Sequence, residues 1–321
     1  MMELPSQFRQ YQEEIEQELR DILAQRKAPL YRMMLYQLGW IDEKGEAVKD
    51  GQGKRLRPLL VLLSCNAAGG YYRLALPAGA AVELVHNFSL VHDDIQDGSP
   101  ERRHRPTVWW LWGPAEAINA GDGLHALGRL ALFRLSGRGL PLETVLEAVR
   151  VLDEACLALC EGQYMDMSYQ ERVDITLEAY FKMVEGKAGA LMACGMELGA
   201  LVAGAGEEVR RAFARAGLNL GIAFQVRDDI LDLWGAEGGA QSSDVLNKKK
   251  SLPIVYALDK ATIRQKRELG TIFFKRVLEP PDVERVTAIL GELQAREYAE
   301  ETAQRYYQQA MEALASVPCE A

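Results

Sequence analysis

The sequence predicts an all-α protein, a single domain built as one large helix bundle, and three observations predict it. Apolar residues recur at helical spacing along almost the whole chain, and no stretch alternates in the way of a half-buried strand. Several of these stretches are apolar around much of their circumference, as the enclosed central helices of a large bundle must be. No linker, low-complexity tract or repeat of fixed period divides the 321 residues.

Helices are expected near 7–26 and 56–68, the second opening after Asp50-Gly51-Gln52-Gly53 and closing at Ala68-Gly69-Gly70. A helix over 76–97 stops at Gly98-Ser99-Pro100. Another over 114–134 stops before Ser136-Gly137-Arg138-Gly139. Helices over 142–169, 176–202 and 207–234 follow, the last closed by the segment from Gly235 to Ser243. The C-terminal part carries a helix over 250–260 and a long one over 281–315 that opens at Pro280-Pro281. The run from Ala188 to Gly206 approaches membrane-spanning length. It contains Glu197 and is built of Gly, Ala and Met, so it reads as a tightly packed interior helix, and no stable membrane insertion is expected.

Hydrophobic residues make up 48% and charged residues 26%, an ordinary globular composition. The net charge of −9 argues against a nucleic-acid partner, because phosphate-backbone binding needs clustered Lys and Arg. It leaves room for a small anionic substrate, since local cations and bound metal override the global sign. The five cysteines are odd in number and scattered, so no disulfide framework is implied. The first residues lack a basic segment followed by an apolar run, so a cytoplasmic location is expected.

Two identical acidic patterns carry the chemistry: Asp93-Asp94-x-x-Asp97 and Asp228-Asp229-x-x-Asp232. On a helix, positions i and i+4 share a face, so Asp93 stacks with Asp97 and Asp228 with Asp232. Each pattern ends an apolar stretch, where mutually repelling carboxylates are costly unless a cation neutralises them. Carboxylate oxygens without His or Cys select hard ions, and Mg²⁺ shares such ligands with substrate phosphates. One such cluster is an ordinary solvated helix end; two identical ones are not. Basic clusters alternate with them: Lys54, Arg55 and Arg57 at a helix start, Arg102-Arg103 after the first pattern, and Lys248-Lys249-Lys250 after the second. Metal on some oxygens and fixed cations on the rest is what a diphosphate site needs. The metal site of an all-α His-Asp phosphohydrolase, suggested by His92-Asp93, is poorly supplied. The chain has four histidines, and His86 and His92, six apart, do not share a helix face.

Together GKRLRP, HNFSLVHDDIQD, RRHRPT, Ala120-Gly121-Asp122, EGQYMDM, EGKAGAL, FQVRDDILD and KKKSLP, spread from about Gly53 to Leu258, resemble the trans-isoprenyl diphosphate synthases. The resemblance implies the isoprenoid synthase type of helix bundle with a central cavity, and the extension of an allylic diphosphate by isopentenyl diphosphate. It implies a homodimer and about three Mg²⁺ per site with substrate bound. It assigns Asp93, Asp94, Asp97, Asp228 and Asp229 to the ions, with Asp232 and Asp244 close by. Arg102, Lys187, Gln225 and Lys249 would face the allylic diphosphate; Lys54, Arg57, His86 and Arg103 would hold isopentenyl diphosphate.

Three residues depart from that pattern. Ala188 stands where the family commonly has Thr, the stretch from Gly238 to Asp244 lacks a customary Lys, and Trp109 replaces a residue that is often His. These departures keep a non-catalytic partner subunit open beside an active synthase. A terpene cyclase would leave GKRLRP and the Arg102-Arg103 pair unexplained. The growing chain should run back along the helix of the first pattern, so that Phe88 and Ser89, five and four residues before Asp93, form its floor. Phe at five and a small residue at four resemble short-chain synthases, which points to geranylgeranyl diphosphate, with farnesyl diphosphate the alternative.

Overall fold

A computed structural model describes residues 6–48, 53, 55–235 and 243–318. The fold is all-α, as the periodicity requires: among the described residues, fifteen α-helices account for nearly all regular structure. They are α1 (Ser6–Leu23), α2 (Pro29–Gln37), α3 (Leu56–Ala67), α4 (Leu76–Gln96), α5 (Val108–Trp112), α6 (Pro114–Gly137), α7 (Leu142–Tyr169) and α8 (Leu177–Val184). After them come α9 (Ala190–Val202), α10 (Glu207–Trp234), α11 (Ser243–Leu246), α12 (Leu252–Lys260), α13 (Ile263–Phe273), α14 (Pro280–Glu292) and α15 (Ala295–Ala315). A two-residue antiparallel ladder, β1 (Glu101–Arg102) with β2 (Arg105–Pro106), interrupts them.

Two expected helices are broken. The one over 176–202 divides into α8 and α9 at a π turn, Glu185–Gly189. The one over 281–315 divides into α14 and α15 at Gln294, which takes a left-handed conformation with φ of 54°. Neither break carries the punctuation of a turn. The first is imposed by packing, described below.

The chain forms two compact units whose boundaries fall within α7, α9 and α10. In unit 1 (1–154, 194–214 and 317–321), α4 is the central helix. Leu76 to Val85 are all buried, and 83% of the helix's most apolar window is enclosed. Only such enclosure makes so apolar a helix compatible with a packed core. Gly128 of α6 lets that helix close on α4, since a Cβ there would meet Val85 Cγ2 at 2.9 Å. In unit 2 (155–193 and 215–316), two apolar clusters adjoin. Tyr180, Val184, Ile222 and Val226 centre one; Ile254, Ile272, Val286 and Leu290 centre the other.

Candidate diphosphate-binding site

In unit 1 the first acidic pattern closes α4. Asp94 is 2% exposed and accepts a 2.7 Å hydrogen bond from Arg102 Nε of β1. Burial pushes its carboxyl up to about 6 against the attraction of Arg102, with Asp93 and Asp97 adding to the rise. Asp93 and Asp97 lie one turn apart and half-buried, as their spacing predicts.

Arg102 and Arg103 reach this region because β1 and β2 turn on two residues. Arg103 and His104 have φ of 53° and 61°. Two successive left-handed residues make the turn that matches hairpin twist, and without Gly they carry strain. The Arg103 guanidinium packs against Gly53, where a Cβ would stand 2.8 Å from Nη1. Arg57 Nη1 donates to His86 Nε2 at 3.2 Å, since a guanidinium can only donate, so the imidazole proton sits on Nδ1. Burial and then Arg57, Arg103 and Arg102 hold the His86 ring well below its ordinary pKa and therefore neutral. Arg57, His86, Arg102 and Arg103 thus share one neighbourhood in unit 1. Lys54 lies outside the described residues, as does the stretch 236–242.

Arg55, between the two predicted anion-binding positions, is turned inward instead. It donates to Glu16 at 2.5 Å, Glu83 at 2.7 Å and the Leu38 carbonyl at 2.9 Å, and Asn87 also donates to Glu83. Its backbone is left-handed with φ of 47°. A buried cation bracketed by two carboxylates is committed to the interior and is unavailable to substrate.

The family departure at Trp109 also has a local function. Its indole N–H donates to the Ser99 carbonyl at 2.7 Å, and Thr107 Oγ1 donates to the same oxygen at 2.9 Å. These bonds tie α5 to the loop after Asp97.

In unit 2 the second acidic pattern closes α10. Asp229, 3% exposed, accepts from Gln225 Nε2 (2.9 Å), Tyr180 Oη (2.6 Å) and the Leu252 N–H (2.7 Å). Burial pushes its carboxyl up to about 6, and these three bonds restrain the rise. Three of about four lone-pair positions are therefore already used. Asp228 is exposed and Asp232 half-buried; Asp232 accepts the Asp244 N–H at 3.0 Å. Asp244 is pushed up to about 7 by burial and by Asp232 and Asp229, with Lys249 opposing.

Lys187 sits in the π turn, ion-paired with Asp166 of α7. Two glycines make this possible. A Cβ on Gly186 would meet Ala158 O at 2.6 Å, and one on Gly162 would meet the Gly186 carbonyl carbon at 2.8 Å. The backbones touch, and the wider turn absorbs the approach. Lys187, Gln225, Asp229, Asp244 and Lys249 line one pocket with Asp166, Tyr180 and Lys250. Of the three lysines read as one basic run, Lys250 does not present its charge outward. It is 2% exposed, donates to the carbonyls of Gln170 and Lys248, and lies 4.9 Å over the Phe273 ring. Ala188, where a hydroxyl is customary, is buried in the apolar cluster around Tyr180.

Sequence reasoning gave Asp166, Tyr180 and Lys250 no role of their own. The available signal for Asp166 was the pairing of Gly162 with Gly186, which marks a close backbone approach one turn from it.

Among the described residues, no three His, Cys, Asp or Glu side chains converge closely enough to hold an ion alone. The donors are nevertheless hard carboxylate oxygens, several with raised pKa, which a divalent cation would stabilise in their charged form. Such a set fits Mg²⁺ when phosphate oxygens and water complete the coordination.

The polyprenyl synthetase family profile matches residues 39–290. The chain belongs to the polyprenyl synthetase family, the trans-prenyltransferases. It is 43% identical over 240 residues to a (2E,6E)-farnesyl diphosphate synthase of Mycobacterium tuberculosis, a match spanning 74% of this chain and 66% of that one. It is 38% identical over 293 residues to a geranylgeranyl diphosphate synthase of the same organism, covering 90% and 82%. A polyprenyl synthetase structure from Streptomyces coelicolor superposes with a TM-score of 0.89 at 36% identity, covering 97% of this chain and 94% of that one. Polyprenyl synthetase relatives named for both farnesyl and geranylgeranyl products thus stand at comparable distance.

Proposed function

We propose that this protein is a Mg²⁺-dependent synthase that condenses isopentenyl diphosphate with an allylic diphosphate and yields geranylgeranyl diphosphate. One observation carries the reading: each unit holds a buried second aspartate of a DDxxD pattern together with fixed cations. In unit 1 the pair is Asp94 with Arg102; in unit 2 Asp229 lies in the pocket of Lys187 and Lys249.

Asp93, Asp94, Asp97, Asp228, Asp229 and Asp232 would hold the ions, which supply charge stabilisation to the departing diphosphate. Arg102 in unit 1, and Lys187 and Lys249 in unit 2, would add fixed positive charge for diphosphate oxygens, and Gln225 keeps Asp229 oriented. The allylic C–O bond then ionises. Arg57, Arg103 and Lys54 hold isopentenyl diphosphate, with neutral His86 able to donate through Nδ1, so that its double bond attacks the allylic carbon. A proton leaves to the released diphosphate, and the apolar helices exclude water from the cation.

Phe88 supports a short product. Its ring packs edge-on to His92 at 4.8 Å and against His125 of α6 at 5.1 Å, which fixes a bulky wall five residues before Asp93. Ser89 is buried and donates to the His86 carbonyl, which leaves little bulk directly beneath Asp93. Exposed Ile118, Leu130 and Phe133 of α6 and Leu142 and Leu146 of α7 support a homodimer, because apolar side chains in such number seek a partner surface. A single cytoplasmic domain is part of the same reading.

The test incubates purified protein with Mg²⁺, isopentenyl diphosphate and each allylic primer, then identifies the alcohols released by phosphatase. Geranylgeraniol as the main product is the expected result, and its loss on chelation completes it. Farnesol would favour the shorter-chain alternative, a hydrocarbon would indicate a cyclase, and turnover only with an added subunit would indicate a non-catalytic partner.

A further inference from the structure

The segment 262–277 differs in charge from the rest of the molecule. In a chain of net charge −9 it holds Arg264, Lys266, Arg267, Lys275 and Arg276 against one acid, Glu268. Glu268 is committed to Arg285, and Lys275 pairs with Asp282. Arg264, Lys266, Arg267 and Arg276 make no ion pair among the described residues, and all four are exposed.

The same segment exposes large apolar side chains. Ile263 is 74% exposed, and Phe274 and Val277 are each 73% exposed. Counted from Ile263, the positions of Lys266, Arg267, Gly270 and Phe274 are three, four, seven and eleven residues on, which keeps them on one face of α13. The opposite face is fully engaged: Leu269, Ile272 and Phe273 are buried in the cluster of Val286, Ile289 and Leu290. A capping box at Thr262 and Gln265 fixes the start of the helix. The helix is therefore anchored on one side and presents an apolar–basic–apolar stripe on the other.

We propose that this face of α13 docks the protein on an anionic lipid bilayer. Cations set between exposed isoleucine and phenylalanine suit an interface where charge meets lipid headgroups and apolar tips enter the acyl boundary. A second copy of the same face is disfavoured, since a two-fold contact would appose the unpaired cations Lys266 and Arg267 of both copies. Nucleic acid would use the cations but leave Ile263 and Val277 without a stacking function. The inference rests on α13 alone and is independent of the catalytic reading; if both hold, a prenyl diphosphate would be released beside the membrane that dissolves it.

The full chain would be floated with phosphatidylcholine vesicles and with vesicles containing about 30% phosphatidylglycerol, at about 50 mM and about 500 mM NaCl. Expected is enrichment of about tenfold on the anionic vesicles at low salt, largely lost at high salt. Ile263→Ser with Phe274→Ser, and separately Lys266→Glu with Arg267→Glu, should each reduce that enrichment about tenfold while leaving thermal unfolding unchanged. All four positions are exposed, so the variants should fold. No enrichment at low salt overturns the proposal, as does equal enrichment by wild type and both variants. A change of oligomeric state in the serine variant, or retention of RNA but not of vesicles, also overturns it, assigning the face to protein or nucleic acid.

Discussion

The Tyr180 hydroxyl donates to Asp229 Oδ2 at 2.6 Å, with both side chains enclosed in unit 2. Asp229 also receives the Leu252 N–H, so one carboxylate joins α8, α10 and the first turn of α12. Burial raises the Tyr180 hydroxyl well above its ordinary pKa, with Asp229 adding to it, so it remains a donor throughout the working range. Tyr180→Phe would leave Asp229 with fewer donors in a setting that already disfavours its charge. A loss of about 1–3 kcal/mol is expected, since the bond is to a charged group. Urea unfolding measures it, and turnover should fall as well if Asp229 acts in the site. Unchanged stability and turnover would show that the bond contributes nothing.

Lys250 gives a pH-dependent prediction. Burial, with Lys248 adding, pulls its ammonium down to about 8 from an ordinary value of 10.5. The unfolded chain therefore holds this proton more tightly than the folded one between those values. The folded state bears the full cost of the charge below about 8, and stability attributable to Lys250 rises as pH climbs from about 8 to 10.5. Lys250→Met keeps the volume and the Phe273 contact but has no charge. The stability difference between wild type and variant, measured by urea at neutral pH and again near pH 10, should shift in favour of wild type by about 3 kcal/mol or less. A pH-independent difference would refute the assignment.

The parts of the molecule governed by periodicity are legible in the sequence. α4, α6 and α10 follow from apolar spacing and from Gly and Pro at their ends. The breaks at Glu185–Gly189 and Gln294 are not, because backbone packing or a left-handed non-glycine residue creates them. The hairpin is hidden for the same reason: Arg103 and His104 occupy positions where Gly or Asn would have announced a turn. The acidic and basic patterns are legible as residue types, but their burial is not. In both DDxxD patterns the second aspartate, Asp94 or Asp229, is the enclosed one, which needs the neighbouring helices to be known. Arg55 and Lys250 likewise stand in basic runs yet serve the interior.

Gly162 offers a test of how Lys187 is positioned. A methyl group there would collide with backbone atoms of Gly186 and Lys187, which cannot rotate away as a side chain can. Gly162→Ala should cost about 1–3 kcal/mol or more through overpacking. It should also raise the KM for the allylic substrate by parting Lys187 from Asp166. Gly270→Ala in α13 meets nothing within 4 Å and should gain up to about 1 kcal/mol from helix propensity. If Gly162→Ala behaved like this control, the close approach would not be what holds the π turn.

Phe88 is the candidate floor for the growing chain, and its removal separates that role from one of core packing. Its ring meets His92 from its own helix and His125 from α6, so removing it opens space between two helices rather than at a free surface. Phe88→Ala should lengthen the product by at least one isoprene addition and lower stability by about 3 kcal/mol, near the low end for Phe because the ring is half-buried. His125→Ala should act in the same direction, and the double variant should fall short of the sum, since the two rings touch. Chromatography of the dephosphorylated alcohols reads the length, and urea unfolding reads the stability. Longer alcohols with non-additive stability losses would place the floor at the Phe88–His125 contact. An unchanged product with the same stability loss would make Phe88 a core residue only, and the wall limiting the chain would then lie on another helix.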